Sequence, residues 1–261
     1  MLILCYGMPK SGSTLAFELV RGVLQNAGHP QETFINDERD AGEVAKAGIG
    51  LRNFARGLTK EKIEGMMATI GPNRKIAVKT HSRLPTGSFA WLESLHDSGQ
   101  LRVIASYRDP REMCLSLLDA AVKAEKRGLS AFIEKVDLRN AAKGVERRIP
   151  HFREWGALKG ALRLDYDTVA FLPNDAIGRI EQALDVVCDR AAAKHYTFEL
   201  AYTQKNKGKP GRYRELNDEQ NAELMERFSE FMNRVCSLDD QRWFDERRAG
   251  LIAASKLAGA A

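Results

Sequence analysis

Apolar residues near the start of the chain change their spacing. Residues 2–6 are apolar without alternation, which is typical of a short β-strand that is covered on both faces. After Thr14 the apolar residues recur every three or four positions, which predicts an amphipathic helix. The apolar residues with this helical spacing are Leu15, Leu19, Val20, Val23 and Leu24. The chain therefore begins with a strand, a short turn and a helix.

Further along, apolar runs that predict strands alternate with helical patterns. The runs cover 75–80, 101–107 and 161–166. Helices are predicted near 59–71, 91–98, 110–127 and 175–185, and from 217 onward. Strands separated by helical crossovers favour a parallel sheet with helices on both faces. We therefore predict an α/β protein with one domain over residues 1–250 and a small apolar tail, 251–261, that frays.

The turn between the first strand and the first helix is rich in small residues. It reads Gly7-Met8-Pro9-Lys10-Ser11-Gly12-Ser13-Thr14. Backbone N–H groups at the start of a helix lack partners within the helix and favour negative charge, so such a loop predicts an anion site. The nucleotide-binding pattern G-x-x-x-x-G-K-[ST] matches only in part, because Ser13 occupies the lysine position and Lys10 lies inside the loop. We expect a P-loop-like, three-layer fold with a central, mostly parallel sheet.

Polar residues that are candidates for binding or catalysis follow the ends of the predicted strands. Lys10 follows the first strand, His81 the second and Arg108 the third. In open parallel sheets, ligands bind at the carboxyl ends of the strands, near the point where the strand order reverses. We therefore expect these side chains to share one site.

Composition limits the class of protein. Of 261 residues, 40 are Lys or Arg and 35 are Asp or Glu, which gives a net charge of +5. This small excess suits phosphorylated or polyanionic ligands but is too weak to indicate nucleic acid. Four scattered cysteines without metal-ligand spacing indicate reduced thiols. With no predicted leader or membrane span, the expected location is the cytoplasm.

Several motifs together resemble the cytosolic-type sulfotransferase family, which depends on 3′-phosphoadenosine 5′-phosphosulfate (PAPS). The loop is similar to the family's Pro-Lys-Ser-Gly-Thr-Thr, and Lys79-Thr80-His81 to its Lys-Thr-His. Arg108-Asp109-Pro110 with Ser116 resembles its arginine–proline–serine element. Further matches are Asp165-Tyr166-Asp167, the segment 195–199 and the segment 207–213. The motifs occur in the family's order and span most of the chain.

The resemblance implies transfer of a sulfuryl group from PAPS to an acceptor hydroxyl or amine, which leaves 3′-phosphoadenosine 5′-phosphate (PAP). Lys10 would stabilise the leaving phosphate, Lys79 would add charge at the sulfuryl oxygens, and His81, with a pKa expected near neutrality, would be the general base. No metal is expected. The residues implied to bind the cofactor are Pro9, Lys10, Ser11, Gly12, Ser13, Thr14, Arg108, Ser116, Tyr166, Phe198, Lys207 and Gly208.

Two positions depart from the family's pattern. Leu15 stands where many members have an adenine-packing tryptophan, and Asn206 replaces the arginine that usually precedes Lys-Gly. Lys205, Lys209 or Arg212 could supply the missing charge.

The acceptor is not identified by any motif. Residues 26–56 are polar and lack clear periodicity, which is typical of a lid or substrate-facing loop. Residues 123–159 carry excess positive charge, which is either a solvated helical face or a basic wall for an acidic acceptor. The acceptor class stays open between a small molecule and a saccharide.

Two other functions remain as alternatives. A nucleotide-dependent kinase or other P-loop phosphotransferase would share the architecture, but it needs a lysine where Ser13 stands and a carboxylate to organise Mg²⁺. A non-catalytic module could bind polyanions through residues 123–159, although this leaves the strand-end positions of Lys10, His81 and Arg108 unexplained.

Overall fold

The structure, a computed structural model, describes residues 1–33, 53–126, 128, 137–203 and 208–258. Its centre is a five-stranded sheet in the order β2-β3-β1-β4-β5, and every pair of neighbours is parallel. The strands are β1 (Leu2–Gly7), β2 (Phe54–Ala55), β3 (Ile76–Thr80), β4 (Leu101–Tyr107) and β5 (Leu162–Asp165). The predicted α/β class with a central parallel sheet is confirmed.

Helices cover both faces of the sheet. They are α1 (Ser13–Asn26), α2 (Lys60–Ile70), α3 (Phe89–Asp97), α4 (Pro110–Lys126), α5 (Leu138–Glu146), α6 (Ile149–Gly156), α7 (Tyr166–Phe171), α8 (Pro173–Leu184), α9 (Arg190–His195), α10 (Asp218–Arg227), α11 (Ser229–Phe231) and α12 (Gln241–Ala258). Two π-helical turns (Tyr196–Leu200 and Met232–Ser237) and one 3₁₀ turn (Arg212–Glu215) complete the regular structure of the described residues.

β1 is buried on both of its faces. Leu2, Leu4 and Tyr6 belong to one hydrophobic core, and Ile3 and Cys5 belong to a second core on the opposite side of the sheet. Because successive side chains of a strand point to opposite faces, a strand inside a three-layer fold must be apolar at every position. This explains the lack of alternation in residues 2–6.

β2 is a strand that the sequence pattern does not predict. Phe54 pairs with Lys79 and Ala55 with Thr80, so β2 extends the sheet beyond β3. Two residues are too few to produce a periodic pattern, and only pairing with β3 defines the strand. The neighbouring residues 34–52 lie outside the described residues.

The C-terminal segment 251–261, which is predicted to fray, is helical as far as the structure describes it, and fraying of the last three residues stays a prediction. Helix α12 continues to Ala258, and Leu251 and Ile252 pack against the core. Burial of these two side chains stabilises the helix beyond residue 250. Among the described residues, no helix is both long enough and apolar enough to cross a membrane.

The strand order determines where a ligand can bind. β1 lies between β3 and β4, so the chain crosses from one side of β1 to the other between these two strands. The carboxyl ends of the three central strands therefore meet where the strand order reverses. Residues that directly follow these ends are brought together although they are far apart in sequence.

Candidate functional site

A cavity of about 760 Å³ opens at the carboxyl edge of the sheet. Residues within or directly after the strands line it, as do residues of α1, α4, α7 and the C-terminal segments. The predicted site residues that line the cavity are Pro9, Lys10, Gly12, Ser13, Thr14, Lys79, His81, Arg108, Ser116, Tyr166, Phe198 and Gly208. Lys207 lies outside the described residues.

The loop between β1 and α1 has an unusual backbone. Lys10 has φ 71° and Gly12 has φ 79°, both in the left-handed region. A lysine there carries a conformational cost of about 1–2 kcal/mol, and such strained residues cluster at functional sites. Gly12 also lies against the ring of Tyr166, where an added Cβ would overlap the ring carbon Cδ2. Only glycine fits at position 12 without moving Tyr166.

Ser11, unlike the other loop residues expected to bind the cofactor, does not line the cavity. Its side chain is only 1% exposed, and its Oγ donates to the carbonyl of Ser106 at 3.3 Å. Its backbone N–H donates to Met8 O at 3.1 Å. Both donors of Ser11 are directed into the protein, so they hold the loop and do not face the cavity.

Lys79 connects β3 to the first turn of α1. Its Nζ donates a 2.6 Å hydrogen bond to Thr14 Oγ1, and the side chain is 2% exposed. Burial and, to a smaller extent, the cation of Lys10 lower the pKa of Lys79 to about 7, whereas the Glu18 carboxylate opposes the change. Near neutral pH, a small change in the surrounding charge will therefore change the protonation of Lys79.

His81 is held by a backbone hydrogen bond. Its Nδ1 contacts the carbonyl oxygen of Gly7. Since a carbonyl oxygen can only accept, Nδ1 carries the proton and Nε2 remains the basic nitrogen of the neutral ring. The edge of the ring packs against Phe54, with the ring centroids 5.3 Å apart.

The pKa of His81 corrects the expectation of a value near neutrality. Removal from bulk water lowers it to about 3, and the cation of Lys79 is the second cause. The hydrogen bond to Gly7 acts in the opposite direction. In the free protein His81 is therefore a neutral imidazole at pH 7, ready to accept a proton, and nearby negative charge will strengthen it as a base.

The charges around Lys10 differ from those around His81. Burial lowers the pKa of Lys10, and the cations of Lys123, Arg108 and Arg212 contribute to the decrease, while Asp119 opposes it. Several cations close together destabilise one another unless an anion joins them. This end of the cavity is therefore suited to a ligand with high negative charge.

Arg108, directly after β4, is fixed by two neighbours. Its Nε and Nη2 donate to Glu112 Oε2 at 2.9 and 2.6 Å, and its guanidinium lies 3.9 Å from the centroid of the Tyr166 ring. Arg108, Glu112 and Ser116 are all buried on the same side of α4. Glu112 was not predicted as a site residue from sequence, although its position four residues after Arg108 on a predicted helix is a detectable signal.

Arg212 supplies positive charge to the cavity wall. Gly211 has φ 66° and leads into the turn that carries Arg212. The Arg212 side chain is buried, and its Nη1 lies 2.9 Å from Asp119 Oδ2. Arg212 lines the cavity together with Gly208. Of the three residues considered as replacements for the family's arginine, Arg212 is the one that the structure places at the cavity; Lys205 lies outside the described residues.

An apolar region forms another part of the cavity wall. Leu15, Ala170, Phe171 and Phe198 contribute to it, and the Phe171 ring contacts the edge of Tyr166 at a centroid distance of 6.0 Å. Phe171 and Phe198 are each 39% exposed, so their rings offer surface to a ligand. Phe171 was not predicted from sequence, because an aromatic residue in a short helix carries no distinguishing signal.

The positively charged segment 123–159 is divided by the structure. Arg148 lines the cavity, whereas the adjacent Arg147 is exposed and lies outside it. Within the described residues, no group of three or more His, Cys, Asp or Glu side chains is arranged to hold a metal ion. Independence from metal stays a prediction.

Comparison with known proteins gives a result at the level of the fold. No protein-family model and no curated protein sequence matches the chain. Mouse sulfotransferase SULT7A1, solved in a complex with PAP, is similar with 16% identity and a TM-score of 0.56, covering 95% of this chain and 88% of that one. Retinol dehydratase, in a complex with retinol and PAP, is similar with 14% identity and a TM-score of 0.51, covering 88% and 81%.

A second retinol dehydratase complex, with androsterone and PAP, gives 15% identity and a TM-score of 0.50 over 88% of this chain and 80% of that one. At such identities the likeness concerns the path of the chain and the order of its elements. It confirms, for the fold, the resemblance that the motifs indicated. The protein has the sulfotransferase fold.

Proposed function

We propose that the protein is a sulfotransferase that transfers the sulfuryl group of PAPS to a hydroxyl or amine of a small-molecule or saccharide acceptor. The observation that carries the proposal is the meeting of Lys10, Lys79 and His81 in one cavity at the carboxyl edge of the sheet. The structural neighbours solved with PAP support the choice of cofactor. A cytoplasmic location remains part of the proposal.

The donors in the cavity fit a nucleotide with phosphate groups at two positions. The loop residues Lys10, Ser13 and Thr14 offer donors for the 5′ end, and Arg108 with Ser116 offers donors for a 3′-phosphate. Phe171 and Phe198 offer aromatic surface to an adenine ring. Arg212 adds positive charge near Lys10.

The reaction follows from these positions. When bound, PAPS supplies a sulfuryl group whose bond to the 5′-phosphate oxygen breaks as a bond to the acceptor oxygen or nitrogen forms. His81 Nε2 accepts the proton that the acceptor loses. Lys10 stabilises the negative charge that develops on the departing phosphate, and Lys79 stabilises the sulfuryl oxygens. Transfer needs positioning and charge more than covalent chemistry from the protein.

The kinase alternative is less well supported by the site. Ser13 is the first residue of α1 at the position where a nucleotide-binding loop has its lysine. The residue after β3 is His81, where a kinase would have a carboxylate. Asp109 is a carboxylate close to the end of β4, but it is paired with Arg111 at 2.6 Å.

A ligand-binding experiment tests the proposal without knowledge of the acceptor. PAP at about 100 times its Kd should raise Tm by roughly 5–10 °C, whereas ADP, which lacks the 3′-phosphate, should raise it much less. Arg108→Ala should remove most of the difference between PAP and ADP. Arg111→Ala is the matched control, because Arg111 is also buried and ion-paired on α4 but does not line the cavity.

An equal rise with both nucleotides, or a larger one with Mg²⁺-ADP, would contradict the sulfotransferase and favour the kinase. A PAP preference that survives Arg108→Ala would show that the 3′-phosphate is bound elsewhere.

A further inference from the structure

The cavity has a second cationic region, next to His81. Arg56 follows β2 and Arg148 precedes α6, and both line the cavity. The charges of these two arginines act on His81, where both lower its pKa. The main charges that act on Lys10 come from a different set: Lys123, Asp119, Arg108 and Arg212. The cavity therefore has two positively charged regions, one around Lys10 and one around His81.

Buried contacts fix the backbone that carries Arg148. The N–H of Arg148 donates to Val145 O at 2.8 Å, and helix α6 begins at the next residue. Trp155 of this helix is fully buried, stacks on Tyr6 with 5.7 Å between centroids, and donates from Nε1 to Ser82 O at 3.0 Å. Helix α6 is therefore held, through Trp155, against the end of β1 and the residue after His81.

Arg56 contacts an aromatic ring that also contacts His81. Its guanidinium carbon lies 5.3 Å from the centroid of Phe54, the ring that also contacts His81. Its carbonyl accepts a 3.0 Å hydrogen bond from Lys62 Nζ. Pairing of β2 with β3 fixes Phe54 beside Lys79. The two arginines thus approach the general base from different elements.

The arginines of the cavity differ in their ion pairs. Arg108 pairs with Glu112, and Arg212 pairs with Asp119. Among the residues that the structure describes, no carboxylate lies within ion-pair distance of Arg148. A half-buried guanidinium in a cavity, with no carboxylate beside it, is stabilised most by an anionic ligand that accepts two hydrogen bonds from it in a bidentate pair.

We infer that the acceptor is anionic: a hydroxylated molecule that also carries a carboxylate or phosphate group, which Arg148 binds together with Arg56 while the hydroxyl faces His81. This inference rests on the proposed function, because it takes the Lys10 end of the cavity to be filled by the nucleotide. It names Arg148 as the residue that determines specificity for charged over neutral acceptors.

Binding to the PAP-saturated protein tests the inference, since PAP then occupies the Lys10 end. Two matched pairs of probes are compared by calorimetry: 4-hydroxybenzoate with 4-hydroxybenzamide, and glucose 6-phosphate with glucose. In at least one pair the anionic member should bind about tenfold or more tightly, and the preference should shrink as NaCl rises from about 50 to about 500 mM.

Variants identify the residue that is responsible. Arg148→Gln should remove the preference for the anionic probe. Arg147→Gln should leave the preference unchanged, because it removes the same charge one residue away but outside the cavity. Equal affinity within both pairs, absence of binding by all four probes, or a preference that persists in Arg148→Gln would overturn the inference.

The test separates failure of the inference from failure of the proposed function. The Tm rise with PAP is measured first on the same protein. If PAP stabilises the protein but the probes show no preference, the acceptor is not anionic and the sulfotransferase proposal stands. If PAP does not stabilise the protein, the proposed function fails first, and the inference fails with it.

Discussion

Lys79 Nζ donates to Thr14 Oγ1 over 2.6 Å, and this bond joins the end of β3 to the first turn of α1. The lysine is buried, and its pKa is lowered to about 7. A buried cation is costly for the folded state, because the unfolded chain can solvate it fully. The protein therefore keeps this buried cation in the cavity at the expense of stability.

Lys79→Met is therefore expected to stabilise the free protein at pH 7. The folded pKa of Lys79, about 7, lies below the ordinary value of 10.5, so the unfolded state binds more protons between these values. The stability of the wild type should rise with pH in this window, by at most about 1.4 kcal/mol per pH unit for one proton. The advantage of Lys79→Met should shrink accordingly as pH rises.

Urea unfolding at about pH 7, 8 and 9 measures this difference, and other titrating groups cancel between the two proteins. A Lys79→Met variant whose advantage does not change with pH would show that the lysine keeps an ordinary pKa in the folded protein.

His81 is expected to stay neutral in the free protein from about pH 4 upward. Burial and the Lys79 cation lower its pKa to about 3, below the unfolded value of 6.5. The histidine therefore costs stability as pH falls below about 6.5, and no protonation of His81 should occur between about pH 5 and 8. NMR of the ring nitrogens, assigned with His81→Ala, measures this. A midpoint near 6.5 would contradict the burial argument.

Loss of the His81 ring should slow turnover more than it weakens cofactor binding. As the general base, it should contribute about 10²–10⁴ in rate. His81→Ala should therefore lower kcat by that factor while the Tm rise with PAP changes little. Turnover that remains intact at saturation, together with lost PAP binding, would assign His81 to binding instead.

The pair of Arg108 with Glu112 leads to a prediction about cofactor binding. Glu112→Gln keeps the shape of the side chain but removes the negative charge beside the buried guanidinium. The free variant should have a lower Tm, since an uncompensated buried charge is destabilising. PAP should then raise the Tm by more than it does in the wild type, because its 3′-phosphate would replace the lost charge.

ADP is the control ligand for Glu112→Gln, since it has no 3′-phosphate and should give a shift close to that of the wild type. A PAP shift that falls in the variant would show that Glu112 holds Arg108 in position more than it competes for its charge.

Gly12 and Gly28 provide a matched pair of glycines that tests the loop between β1 and α1. Both have φ near 80°, so alanine at either position carries a backbone cost of about 1–2 kcal/mol. A Cβ at Gly28 meets no atom within 4 Å, whereas one at Gly12 overlaps Tyr166. Gly12→Ala should lower Tm more than Gly28→Ala and should also reduce the PAP shift, because Tyr166 lies under Arg108. Equal effects in thermal unfolding would mean that Tyr166 moves without consequence.

The sequence by itself determined the layers of the fold and much of the site. The uninterrupted apolar residues of β1 indicate burial on two faces, and the helical spacing in α1 indicates burial on one face. Both patterns are local. Lys10, His81 and Arg108 could be expected to meet, because the carboxyl ends of adjacent parallel strands share one edge. The loop itself was recognisable from its glycines and its lysine.

Tertiary structure decided what depends on neighbours distant in sequence. The sequence pattern does not distinguish Arg147 from Arg148, and only the packing of α6 places Arg148 at the cavity. Ser11 belongs to the loop motif, yet its contact with Ser106 turns it inward. The pKa of His81 depends on burial and on the charges of Lys79, Arg148 and Arg56, which are far from it or from one another in sequence and which no local pattern encodes. Position along the chain assigns a side chain to the site, but its solvation and its neighbours determine its chemistry.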